Sequence, residues 1–103
     1  MSSENAANEE ESSVTREAHE RIDTLDDHLS RYPPVTEPLS TVRRQVNEYE
    51  QAESMDDKQD ALDKIEAELA KIRDAIEEEV EQGKEEAHRT LDDIEAKISH
   101  LRN

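Results

Sequence analysis

Leu62, Ile65, Leu69, Ile72, Ile76 and Val80 follow one another at steps of 3, 4, 3, 4 and 4, and Leu91, Ile94, Ile98 and Leu101 at steps of 3, 4 and 3. Steps of this kind hold side chains on one face of an α-helix, where they meet another helix. Upstream, Val14, Ala18, Ile22, Leu25, Leu29 and Tyr32 repeat the pattern, as do Leu39, Val42, Val46 and Tyr49. Leaving alanine aside, nineteen large apolar residues lie on this stripe, and only Met1, Val35 and Met55 lie off it. No apolar surface is left to line a pocket. The pattern predicts an all-α protein, an elongated helical hairpin or coiled-coil bundle whose stripe is both core and interface.

Punctuation divides the stripe. Residues 1–12 are small, polar and acidic without a period and read as a disordered acidic tail. A single helical domain over 13–103 follows, with helices at about 14–32, 38–52 and 56–102. Ser13 or Thr15 offers a cap for the first. Three prolines in the six residues Pro33–Pro38 stop it, and Thr36 suits the N-cap of the second. Ser54, followed by Asp56 and Asp57, marks the start of the third. The long C-terminal helix then has no proline. The second consecutive step of 4 at Val80, with Gly83 just beyond, predicts a kink or register change there.

A continuous helix over 56–102 spans ~70 Å at ~1.5 Å per residue. The first two helices and their proline connector reach about as far. The chain can therefore reverse near Glu53–Asp56, with the second helix lining 57–75 and the first lining 85–101. The rival arrangement is a three-helix bundle with 85–101 projecting. In the hairpin, one flank of Ile94, Ile98 and Leu101 stays poorly covered, so a homodimer forming a four-helix layer is expected.

Charge narrows the partners. With 29 Asp and Glu against 13 Lys and Arg, the net charge is -16. That repels nucleic-acid phosphate and anionic lipid, and no basic cluster exceeds Arg43–Arg44. No run approaches membrane-spanning length and no signal peptide is evident, so the expected location is cytoplasmic. Absence of Cys removes thiolate chemistry and Cys-based zinc sites. The acid is spread over every segment, Arg outnumbers Lys 8 to 5, and Phe and Trp are absent. In these respects the composition resembles that of salt-adapted, haloarchaeal proteins, in which salt screens self-repulsion.

Candidate chemistry is sparse. His19 and His88 share the context Glu-Ala-His, and a pair of them across antiparallel helices, joined by Glu20 or Glu85, would make a metal site. Only one Glu-x-x-His is complete, at Glu85–His88, so solvated or stripe-edge histidines are the preferred reading. The acid clusters lack the glycine turn and ligand offsets of a calcium loop. No environment is available to shift a carboxylate for acid–base catalysis. Arg43–Arg44 can meet an acidic partner or bridge carboxylates of a neighbouring helix. No catalytic residue, metal, cofactor or small-molecule substrate is expected. The sequence points to a non-enzymatic acidic interaction or assembly module. The alternative is an inhibitor or DNA mimic docking on a basic protein, which would concentrate acid on one face.

Overall fold

The computed structural model describes residues 3–102, with side chains from residue 13 onward. It is an all-helical bundle of four helices: α1 (Ser3–His28), α2 (Pro33–Gln51), α3 (Met55–Glu79) and α4 (Lys84–Arg102). The chain runs up, down, up and down. Arg43 of α2 reaches Asp23 of α1, Arg73 of α3 reaches Asp92 of α4, and Lys97 of α4 reaches Glu17 of α1. Antiparallel neighbours thus close into a ring around one core. All four helices contribute to it, through residues such as Ile22, Leu39, Ile65 and Ile94.

The expected long C-terminal helix is two helices. α3 stops at Glu79, Val80 is extended at φ -85 and ψ 121, and Gly83 takes φ +75. That left-handed conformation suits glycine and strains other residues. The step pattern located the break, but the chain reverses there instead of bending. Val80 is 2% exposed, so the extra apolar step anchors the turn in the core. Lys84 donates from Nζ to the Glu77 carbonyl at 3.0 Å, satisfying a backbone acceptor that the helix end would leave open. The first bond of α4 runs from the Ala87 N–H to the Gly83 carbonyl at 2.9 Å.

This reversal replaces both expected arrangements. α2 does line α3 and α1 does line α4, yet α4 also folds back on α3, where Arg102 binds Asp63 and Glu66. The molecule extends 50 × 22 × 18 Å, shorter than the ~70 Å of an unbroken hairpin arm. The flank from which a homodimer was expected is covered: Ile94 is 0% and Ile98 1% exposed, and Leu101 packs against the core edge. One chain supplies the four-helix layer, which removes the reason for expecting a second.

Two boundaries also differ. α1 begins at Ser3, ahead of the Ser13 or Thr15 cap, and Thr15 lies buried within the helix at 1% exposure. The helical backbone thus reaches into the segment read as a tail. Met1, Ser2 and the side chains of 3–12 lie outside the described residues. α2 begins at Pro33, so Thr36 is not its cap. Prolines at the first two helical positions lose nothing, because those positions have no intrahelical acceptor for an N–H. The earlier start brings Val35, read as off the stripe, into the core at 0% exposure. The Ser54 cap stands as expected, its Oγ accepting from the Asp57 N–H at 3.1 Å.

Candidate interaction surface

The stripe is consumed inside the bundle. Leu62, Ile65, Leu69, Ile72, Ile76, Val80, Leu91, Ile94 and Ile98 are all buried, and Leu101 is partly so. Each such side chain contributes ~1.5–3 kcal/mol by leaving water. Met55, at 71%, is the large apolar side chain that stays exposed among the described residues. The outer surface is therefore charged, with exposed carboxylates on every helix, among them Glu20, Glu48, Asp74 and Glu85.

The basic residues sit mainly on the seams between helices. Between α1 and α4, Glu17, Lys97, Asp93 and Arg21 form a chain of alternating charge, with spacings of 3.7, 3.6 and 2.7 Å. Glu17 and Arg21 stand four residues apart on α1, yet each reaches across to α4. Arg43 bridges Asp23 at 2.5 Å and Asp26 at 3.9 Å, the neighbouring-helix role open to it. Arg73 donates to Asp92 at 2.9 Å and to Glu95. Arg102 donates to Asp63 at 2.8 Å, Glu66 at 3.0 Å and Gln59 at 2.9 Å. Hydrogen bonding to Asp92 raises the Arg73 pKa above its ordinary value, and bonding to Asp63 and Glu66 raises that of Arg102. Hydration and side-chain entropy largely offset exposed pairs of this type, so they align the helices more than they stabilise them.

The histidines do not converge. His19 meets Glu50 of α2 at 3.1 Å, whereas His88 meets Glu77 of α3 at 2.7 Å. The described residues contain no group of three or more His, Cys, Asp or Glu that could hold a metal ion. The carboxylate of Glu77 can only accept, so His88 donates from Nε2, and its buried Nδ1 has no partner. The His88 bond, followed by the Lys84 charge, lowers the Glu77 pKa below the usual carboxylate value. At the same end of the bundle, His28 lies over Gly83 and 3.7 Å from Glu86.

The α2–α3 seam is built differently. Lys58 stands over the Tyr49 ring at 5.3 Å from its centroid. Beside this contact is an open cleft of ≈ 250 Å³ whose walls include Gln45, Glu48, Asp57, Asp60 and Lys64. Gln45 is 9% exposed, and its Oε1 is buried without a hydrogen-bond partner. Asp60 and Lys64 pair at 3.4 Å on the α3 wall. Sequence periodicity did not single out Gln45. Its position one residue before Val46, at the edge of the apolar stripe, was the available signal.

No helix among the described residues is long and apolar enough to cross a membrane. Comparison with protein families, curated proteins and solved structures returned no match.

Proposed function

We propose that this protein is a non-enzymatic, acidic helical interaction module that docks on other proteins through its polar outer faces. The observation that carries this reading is the allocation of residues. The apolar stripe is spent on the chain's own core, while carboxylates cover the outside of all four helices. Acid spread over every face supports an adaptor or assembly role over mimicry of DNA, which calls for acid gathered along one face. The charge of -16 without Phe or Trp fits a proteome adapted to high salt, where such a surface stays hydrated and its repulsion is screened.

Affinity capture in molar KCl, with recovered proteins identified by mass spectrometry and each tested by reciprocal capture, examines this proposal. A discrete partner that persists in molar salt is the expected result. Recovery only of nucleic-acid-binding proteins, all displaced by competing DNA, would overturn the adaptor reading in favour of mimicry. Turnover of any co-captured small molecule by the purified chain would overturn the non-enzymatic assignment.

A further inference from the structure

The turn between α3 and α4 occupies residues 80–83, and the apolar stripe runs straight through it. Ile76, Val80, Gly83, Ala87 and Leu91 follow at steps of 4, 3, 4 and 4, so a helix continued across the turn keeps them on one face. What holds the turn closed is local. Gly83 takes φ +75, and Lys84 Nζ supplies the donor that the Glu77 carbonyl lacks. In a continuous helix the Glu81 N–H would serve that carbonyl instead. The bridges between α3 and α4 also share one centre. Asp63–Arg102, Arg73–Asp92 and Glu77–His88, at 2.8, 2.9 and 2.7 Å, are each centred between Gln82 and Gly83. A two-fold axis at that point relates two straightened chains so that every one of these pairs re-forms with one residue from each copy.

We propose that this turn is a hinge at which α3 and α4 join into one helix, so that two copies exchange α4 and form a domain-swapped dimer in concentrated salt. The second copy covers no open flank. It supplies the α4 that each bundle otherwise takes from its own chain, so the core and the Arg73 and Arg102 bridges are kept. Charge sets the condition. Residues 77–86 hold six Glu against Lys84. In the straight helix Glu81 stands four residues from both Glu77 and Glu85, a repulsive spacing, and the dimer brings two such segments together. Dilute buffer therefore favours the closed monomer. At molar ionic strength the screening length falls to ~3 Å, which weakens the repulsion opposing the straight helix. The exchanged dimer presents every outer face twice, and so turns a single docking module into a bivalent one.

Light scattering on the size-fractionated chain, from dilute buffer to molar KCl, reads the association. Spin labels at Ala67→Cys and Ser99→Cys read the exchange. Both positions are exposed, and the register of the bridges places them near one another across the α3–α4 seam. In doubly labelled chains diluted with unlabelled protein, the distance within one chain should lengthen to ~48 Å in the dimer, at ~1.5 Å per residue. The wild-type dimer fraction should rise with concentration and with salt. Gly83→Ala should lower the dissociation constant by about a hundredfold or more, since alanine disfavours each turn and favours each straight helix. On dilution that variant returns to the monomer, whose turn the alanine strains. Glu81→Lys, exposed at the hinge, should lower the constant about tenfold in dilute buffer and less in molar KCl. Glu20→Lys, the same change of charge on α1, should shift it far less. A dimer whose labels keep the short distance of adjacent helices would mean association through outer surfaces and overturn the exchange. Monomers throughout in the wild type, Gly83→Ala and Glu81→Lys would overturn it too. Equal shifts in Glu81→Lys and Glu20→Lys would overturn hinge repulsion as the gate. Capture of other proteins by the monomer is untouched by any of these results, so the docking role stands or falls separately.

Discussion

Replacing Gly83 with Ala separates the four-helix bundle from an unbroken C-terminal helix by the sign of its effect. In a continuous helix, Gly costs ~1 kcal/mol relative to Ala, so Gly83→Ala would stabilise the chain by about that amount. In the bundle, Gly83 has φ +75, and an L-residue in that region costs ~1–2 kcal/mol. A Cβ there would also lie 2.7 Å from Nε2 of His28. The imidazole is the mobile end of a side chain that is 40% exposed, so it can swing away and lose little more than its 3.7 Å approach to Glu86. The backbone term therefore dominates, and Gly83→Ala should destabilise by ~1–2 kcal/mol. For a domain of this size that lowers the melting temperature by roughly 4–16 °C. Thermal and urea melts followed by circular dichroism measure it. His28→Ala combined with Gly83→Ala should recover only the small steric part. A Gly83→Ala protein as stable as the wild type, or more so, would refute the turn and restore the long helix.

Glu at both Ile94 and Ile98 should unfold the chain rather than split a dimer, since two unpaired carboxylates would enter a closed core at several kcal/mol each; a folded, helical double variant in sedimentation and circular dichroism would contradict the burial. Stability should rise from dilute buffer to molar KCl, because screening weakens repulsion among groups that sum to -16; melting temperatures that do not change with salt would count against it. Glu77→Gln should destabilise the turn at neutral pH. Because the Glu77 pKa is lower in the folded chain, its contribution is present above the ordinary carboxyl value of 4.5 and is lost as pH falls through the lower folded value. The gap between variant and wild type should close in acid, and a gap independent of pH would assign the effect to packing.

Much of this architecture was legible because helix faces announce themselves through period. Residues such as Ile65, Ile72 and Ile94 sit where their spacing put them, and the Ser54 cap works through the side chain that marked it. Signs with two structural meanings were harder to read. Pro33 and Pro34 can end one helix or begin the next, and they begin α2, which is why Val35 reached the core unannounced. The second step of 4 with Gly83 beyond it can mean a stutter or a reversal, and local spacing does not distinguish them. The decision lies in tertiary terms. Val80 finds a buried seat, Lys84 satisfies the Glu77 carbonyl, and folding α4 back covers the flank of Ile94 and Ile98. The α2–α3 cleft was illegible for a related reason. Gln45 is an ordinary polar residue until two helices close over it, and only then does its unpaired Oε1 acquire a meaning.

Closing the stripe within one chain also constrains how the protein can recognise anything. A partner helix seeking an apolar groove would have to displace one of the four helices and forfeit the core burial that holds it. What remains outside is charge, and charge alone selects poorly. In dilute buffer a net of -16 attracts any basic protein, whereas at molar salt the screening length shrinks to ~3 Å and only groups in contact still interact. Specificity under those conditions falls to short-range features with fixed geometry, where a donor either meets its acceptor or leaves it unpaired. The seams bridged by Arg43, Arg73 and Arg102 have already satisfied their carboxylates internally. Glu48 and Asp57, on the walls of the α2–α3 cleft, make no such bridge, so a donor from outside meets them without breaking one.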